Sequence, residues 1–556
     1  MNITKNIKTA HTAIITYIAD KGKASVRAIA NVLHIPKSTV QNHLRRIKDR
    51  QKYPESHLWD KPEGDAWLRL FILSTLYTFG LGCNIGADRL SRYFKQLRID
   101  THIGVSPSSL RKLLREMEAI LAEYQALCEA QVTHQREEAL HITAAADETF
   151  FNDILMLVIM DLSSGYLLLE DIADDRTFDT WWEAAKPRLK ATNIEMDHLI
   201  TNRAKALIKL ATVGANCESG SDLFHSLQTL SRRLGNPLKR RYSSASKALK
   251  KLWKEKEKDI LSLQQDLSET VAIDLEKEKE KSLDEKIDEI NQLNEEAKLK
   301  EDNERYNKTI KSISMNVHAF NIETHQQQCS QDVENKLEAH AKTLEIIEEH
   351  HFPEKKKKAV PAFRQQNKAL ASCIDVWWYF VLNNLLQFKL LVDGEDWLLN
   401  SLLPAVYWHQ QMTKTKEPIR RERYEVAWKS ALNAWEQHPL TIKMSGEEKE
   451  QWQDWGLSMV ERFHRSSSAI EGRNGTLSQM YHTRRGLTSS RLKALTVIFN
   501  YDHFKPDGKT PAEKLFNTSF PNLLEYINEQ MGDLPLPRKR KKRKYTKPLN
   551  LQGVPA

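Results

Sequence analysis

Three polar residues stand where strand-like runs end or helices begin: Asp147 in "AADETFF", Asn202 in "HLITNRAKAL" and Glu471 in "SSAIEGRNG". Carboxylates at such positions supply the hard oxygen ligands that Mg2+ prefers. Three positions meeting at one end of a sheet suit two Mg2+ ions ~3.5–4 Å apart, which activate an attacking oxygen and stabilise the leaving one in an in-line phosphoryl displacement. Asn202 keeps an oxygen but loses the charge, and an amide cannot bridge two cations as a carboxylate can. Between these positions, "DLFH" sets Asp222 and His225 three residues apart. Around Glu471, the residues Arg473, Asn474, Arg484 and Arg485 are types that grip phosphate oxygens. For the Arg484–Arg485 pair, a solvated helix end is the plainer alternative.

To position these residues the chain needs a sheet. From about residue 140, "LHITAAADETFF" and "DILMLVIMDLSSGYLLLEDIADDR" read as a strand and a hairpin, with Ser163, Ser164 and Gly165 as the turn. A helix in "TFDTWWEAAKPRLKA" and a strand in "DHLIT" follow, giving a mixed α/β core with an antiparallel start. From about 240 to 450 the chain turns helical and highly charged. Leu263, Leu267, Val271, Asp274 and Leu275, and then Leu283, Ile287, Ile290, Asn294 and Ala297, follow 4-3 spacing, so a coiled-coil hairpin is expected between Trp253 and Phe320. Eight of the 13 tryptophans fall between Trp377 and Trp455. At helical period they read as a packed aromatic core, and base stacking is the sharper alternative.

Near the N-terminus, "SVRAIANVLHIPKSTVQNHLRRIKDR" has helix-turn-helix spacing, with Ala28, Ile29 and Val32 on one apolar face and Thr39, Val40 and Leu44 in the second helix. That second helix carries Lys37, Ser38, Thr39, Gln41, Asn42 and Arg45, types that reach phosphates and base edges in a major groove. "GADRLSRYFKQLRIDTHIGVSPSSLRKLLREME" offers a second copy, in which "VSPSSLRKLLR" again pairs a Ser/Pro start with a basic helix. Of 83 Lys plus Arg against 74 Asp plus Glu, seven positives lie uninterrupted in Arg538–Lys544, and without them the balance is 76 to 74. Such a tail is expected to be disordered and suited to phosphates, localisation or solubility. Five scattered cysteines without a C-x-x-C pair argue against a disulfide framework or zinc ribbon. With no ~18-residue apolar run and no signal-peptide core, the expectation is a cytoplasmic, nucleoid-associated protein that avoids membranes.

Taken together, "AADETFF", "MDLSSGYLLLEDIADDRTFDTWWE", "NRAKALIKLA", "DLFH" and "SSAIEGRNGTLSQMYHTRRGL" resemble the DDE transposases of bacterial insertion sequences. The likeness spans about 140–235 and 460–515. It implies a ribonuclease H-like core split by a helical insertion before the final Glu, preceded by a DNA-binding helix-turn-helix. The implied fold is multidomain α/β plus all-α: 1–60 helix-turn-helix, 61–138 a second helical region, 139–238 the first part of the core, 239–458 the helical and coiled-coil insertion, 459–520 the last part of the core, 521–556 a basic disordered tail. The resemblance makes Asp147, Asn202 and Glu471 the metal and catalytic positions, with Asp222 and His225 as an Asp-x-x-His element that supports the site.

The family pattern has Asp where Asn202 stands. The implied activity is Mg2+-dependent cleavage and joining of double-stranded DNA at the terminal inverted repeats of a mobile element and in a target, with Mn2+ as a substitute and a homo-oligomer to synapse two ends. The departure at Asn202 sets against it a catalytically inactive derivative that acts as a DNA-binding or regulatory protein. Rescue of the missing charge by Asp197 or Asp222 is the other account, and a coiled-coil scaffold is the plainest alternative.

Overall fold

The protein is described by a computed structural model covering residues 7–50, 52–53, 55–59, 62–266, 275–354, 358–482 and 487–537. It is mostly helical, with one small mixed sheet of five strands, and the chain divides into two compact units. The first comprises residues 1–131, 479–513 and 517 onward, and the second 132–478 with 514–516. Each unit is therefore discontinuous in sequence. The expected tail, Arg538–Lys544, lies outside the described residues, as do Arg484 and Arg485.

The first unit opens with α1 (Ile7–Lys21), α2 (Val26–Leu33) and α3 (Lys37–Arg50). Ser25 caps α2 by accepting from the Ala28 amide at 3.2 Å, and His34, at φ 51°, ends it in the left-handed region. The three helices close on Ile14, Ile29, Ile35, Val40 and Ile47. The inward face differs by a step from the one expected: Ile29 and Ala30 are buried while Val32 is 56% exposed. On α3, Val40, His43 and Ile47 point inward, leaving Lys37, Ser38, Gln41 and Arg45 exposed and Thr39 and Asn42 half-buried. The second helix-turn-helix candidate folds as a helix over Ala87–Gln96, a connecting segment with a short turn at Ile99–Thr101, and α4 (Pro107–His134), which runs on for 28 residues.

The segment expected to be disordered from 521 is built into this unit as far as Pro537. A helix spans Leu523–Gln530, and Arg69 donates to Asn528 and to the carbonyls of Met531 and Gly532. The Gly104 amide donates to the Pro535 carbonyl at 2.5 Å, an approach that a Cβ at Gly104 would block at 2.6 Å from the Leu536 oxygen. Arg46 of α3 donates to the Pro537 carbonyl at 3.1 Å.

The second unit holds the sheet, β1 (Leu140–Phe151), β2 (Ile154–Asp161), β3 (Leu167–Ala173), β4 (Ile194–Thr201) and β5 (Glu218–Ser221), in the order β3-β2-β1-β4-β5. β1, β2 and β3 run antiparallel through two tight turns with Asn152 (φ 54°) and Gly165 (φ 81°) at left-handed positions. β4 and β5 run parallel to β1, reached through the crossover helix α5 (Phe178–Thr192). Seven of the eight β2 residues are fully buried, as a strand covered on both faces requires.

After β5 comes α6 (Leu223–Leu230), then the long insertion. α7 (Asn236–Asp266) and α8 (Leu275–Asn316) pack as an antiparallel hairpin joined by Lys256–Glu289 and Arg241–Glu295 ion pairs. The seam expected along α8 does not close it: Ile287 and Ile290 are 48% and 55% exposed. The side chains of Leu263, Leu267, Val271, Asp274, Leu275 and Leu283 lie outside the described residues. α9 (Ser330–His351) and α10 (Asn367–Leu385) carry the insertion's core with Trp377, Trp378, Trp397, Trp408 and Trp435 buried in it. Trp428, Trp452 and Trp455 pack against the same core, so the tryptophans serve packing. The stretch Ala359–Phe388 is long and apolar enough to cross a bilayer by composition, but Leu370, Ile374, Val381 and Leu385 belong to this core. The chain returns to the sheet through α11 (Ser468–His482).

Between β4 and β5, the His198 ring lies directly over Gly220: a Cβ there would sit 2.4 Å from Nε2. Gly220→Ala is expected to cost ~1–3 kcal/mol, as overpacking of a buried ring does, read as a lower urea midpoint. Burial pushes the His198 imidazole down to about 4. Its folded pKa is below the unfolded one, so stability present above pH ~6.5 is lost as pH falls toward 4. His198→Leu should flatten that limb of the stability curve between pH 7.5 and 4.5, and an unchanged slope would exclude His198 as its source.

Candidate active site

The parallel register of β1 and β4 pairs Ala146 with Thr201, so the next residues, Asp147 and Asn202, emerge side by side. Asn202 Nδ2 donates to Asp147 Oδ1 at 3.3 Å, and Asn202 Oδ1 accepts from the Ala204 amide at 3.0 Å. The parallel pairing of Thr201 with Ser221 brings out the next residue, Asp222, at the same end of the sheet. Two sequence distances of tens of residues thus collapse to neighbouring strands. Arg203, at φ 66°, turns the chain away from β4, and its guanidinium donates to Ser219 at 2.9 and 3.0 Å.

Asp222 is fully buried and acts as a clamp. Its Oδ1 caps α6 through the amides of Phe224 (2.6 Å) and His225 (3.4 Å), and its Oδ2 accepts from the Ser467 amide at 3.0 Å and from the Ser467 hydroxyl. The Asp222 amide donates to the Thr201 carbonyl at 2.9 Å and the Leu223 amide to the Arg465 carbonyl at 3.1 Å. These bonds fix the start of α11, and Glu471 follows one turn into that helix. Its capping role puts His225 on the first turn of α6, looking back toward the sheet.

His225 Nε2 then lies 3.7 Å from Asp147 Oδ2, 3.7 Å from Glu471 Oε1 and 3.8 Å from Asp222 Oδ2, without a hydrogen-bond partner. Asp147, with the other carboxylates behind it, raises the imidazole pKa to about 9 against the opposing effect of burial. Burial, then Asp147, pushes the Glu471 carboxyl up. A protonated His225 imidazole offsets the charge of these acids. One donor atom each from Asp147, His225 and Glu471 lies within 4.8 Å of the others, a spacing that suits a divalent ion.

The structure therefore brings together Asp147, Asn202, Asp222, His225 and Glu471. Arg473 it turns elsewhere: the side chain is buried in a paired ion bridge to Glu170 of β3, at 2.9 and 2.7 Å, where it ties α11 to the sheet and offers nothing to a phosphate. Asn474 is likewise buried, with its Oδ1 unpartnered. Asp197 bonds His141 at 2.7 Å, three residues into β4 and well before Asn202, and Asp222 is committed to its clamp, so neither replaces a charge at position 202. Sequence reasoning gave His225 a supporting place and missed its central one. The signal was present in the three-residue offset from a capping Asp. Glu170, the partner of Arg473, carried no signal beyond being an acid in an apolar strand.

Residues 398–543 match a family of unknown function (DUF6399), a stretch that includes Glu471 but neither Asp147 nor Asn202. No curated protein matches the chain, and no solved structure does.

Proposed function

We infer that this chain is a DNA-binding protein of the DDE transposase kind whose strand-cleaving site is impaired at Asn202. The observation that carries the reading is the convergence of Asp147, Asn202 and Glu471 on one end of a mixed sheet, from positions separated by a helical insertion, beside the Asp222–His225 pair. A sheet with an antiparallel start that is interrupted before its last acid supports a ribonuclease H-like core. Asp147 and Glu471 would supply the oxygen ligands of the divalent ion, Mg2+ or Mn2+, with His225 as a third donor once its proton is displaced. When bound, such an ion polarises a scissile phosphodiester and eases deprotonation of an attacking water.

The protein's own residues decide how well this works. An Asp at 202 would place a second carboxylate against Asp147 and create strong demand for cations between them. Asn202 removes that repulsion and satisfies Asp147 with an N–H instead, so a second ion is left short of negative charge. Binding of DNA rests on other residues. Lys37, Ser38, Gln41 and Arg45 form one exposed face of α3, the arrangement a recognition helix needs in a major groove. The seven consecutive positives of Arg538–Lys544 would add phosphate contacts through their charge. On this reading a homo-oligomer would synapse two DNA ends at the nucleoid.

Asn202→Asp should raise Mg2+- or Mn2+-dependent nicking of labelled duplexes, taken from any inverted repeats found in the DNA beside the gene, by at least ~100-fold, since a metal ion contributes several kcal/mol at the transition state. Adding Asp147→Ala or Glu471→Ala should abolish the gain while leaving DNA binding unchanged. Robust cleavage by the Asn202 protein itself would overturn the impairment. Failure of Asn202→Asp to cleave, with selective binding intact, would leave a DNA-binding protein without catalytic potential.

At α3, Gln41→Ala should reduce discrimination between flanking-repeat and scrambled duplexes by ~1–3 kcal/mol. Lys37→Ala should weaken both alike and lower the salt slope of log affinity by ~1. Fluorescence anisotropy at several salt concentrations reads both effects. Equal loss on the two duplexes for Gln41→Ala would show that α3 does not read bases.

A further inference from the structure

A second group of metal-ligating side chains sits in the insertion, remote in sequence from Asp147 and Glu471. Asp302 on α8 is buried, and α9, which packs against α8, ends on His350 and His351. Asp302 Oδ2 is 2.8 Å from His351 Nε2 and 3.9 Å from His350 Nδ1, and the two ring nitrogens are 3.3 Å apart. We propose that Asp302, His350 and His351 form a binding site for a zinc-class transition-metal dication, which staples α8 to the end of α9.

The geometry fits. Tetrahedral coordination with bonds of ~2.0–2.1 Å puts neighbouring ligand atoms ~3.3 Å apart. The three measured separations straddle that value, so side-chain adjustments of a few tenths of an ångström complete the triangle. The proton count also points to a metal. With both rings neutral, the bond to Asp302 requires the proton of His351 to be on Nε2, and that same N–H is then the only donor facing His350 Nδ1. Two acceptors, Asp302 Oδ2 and His350 Nδ1, then share the one proton on His351 Nε2. A dication satisfies all three atoms and displaces that proton into solvent, leaving Asp302 ionised and both imidazoles neutral.

The surroundings tolerate the charge. The last turn of α9 is the negative end of a 22-residue helix, which favours a cation at His350 and His351. The nearby positives are already engaged. Arg305, 3.7 Å from Asp302 Oδ1, pairs with Glu301 at 2.7 Å, and Arg241 donates to the His351 carbonyl while facing Glu295 at 3.8 Å. Two imidazoles with one carboxylate select zinc-class ions over Mg2+, which keeps this site chemically apart from the acids on the sheet. His350 is exposed, so water reaches the fourth position.

The test uses untagged, metal-stripped full chain, with Asp147→Ala and Glu471→Ala introduced to silence the other cluster. Titration with Co2+ should give one equivalent with the strong visible bands of tetrahedral coordination, and Zn2+ should displace it. His350→Ala, at an exposed position that leaves the fold intact, should weaken binding by more than ~100-fold, beyond the range seen for groups that only support a ligand. Zn2+ should raise the melting temperature of the parent and not of the His350→Ala chain. Asp302→Asn, which keeps shape and removes charge, should act in the same direction. Absence of a tetrahedral Co2+ spectrum, or equal titrations for parent and His350→Ala, would overturn the proposal.

Discussion

The carboxylate of Asp222 is fully buried and joins pieces of chain 245 positions apart. One oxygen caps α6, the other takes the amide and hydroxyl of Ser467, and the backbone around it ties β4 to the segment before α11. Hydrogen bonds to an ionised group contribute about 1.5–3 kcal/mol each. That matters because the chain between its anchor points is the whole insertion. Loop-closure entropy grows only logarithmically, by ~0.6 kcal/mol per doubling of length, so a few charged bonds in a buried place can hold the two ends of a very long excursion. Glu471 reaches the sheet because Asp222 and Ser467 meet. The buried Arg473–Glu170 pair, two residues further on, fixes the same helix against β3.

Within the site, charge is distributed in a way that only makes sense with Asn202 included. Asp147 is buried beside an amide that donates to it, and His225 stands among three carboxylates. Two of those acids remain for a cation once Asp222 is spent on structure. A protonated His225 supplies counter-charge to these acids.

The insertion is a folded body with its own aromatic core. His318, fully buried, lies between the hydroxyls of Tyr407 (2.6 Å) and Tyr424 (2.9 Å), and Arg465, just before Ser467, donates to the carbonyls of Ser314 and Val317 at 2.6 and 2.8 Å. The core therefore reaches the strand of chain that carries the clamp. Arg465 and Ser466 link the bonds to this core with the clamp at Ser467. The hairpin of α7 and α8, by contrast, is held by exposed ion pairs of small individual worth.

The sequence by itself determined the elements whose pattern is local. The strand and hairpin from 140 to 173, the capped α2 with the turn into α3, and the tryptophan-rich helices were all legible, because period, turn residues and caps act over a few positions. Asn202 and Glu471 were legible by type and by their places at element ends, whereas Asp147, expected to close its strand, lies four residues before the end of β1, just past the point where the pairing with β4 stops. Only the tertiary structure decided what those places are worth. Parallel register set Asn202 beside Asp147, a helix cap turned His225 inward, and burial against Glu170 withdrew Arg473 from the phosphate role its charge suggested. It also rotated α2 and α8 relative to their expected faces, exposing Val32, Ile287 and Ile290. The reason is common to all of these: a side chain's exposure and partners depend on surfaces brought from far along the chain, and a local pattern carries no record of them.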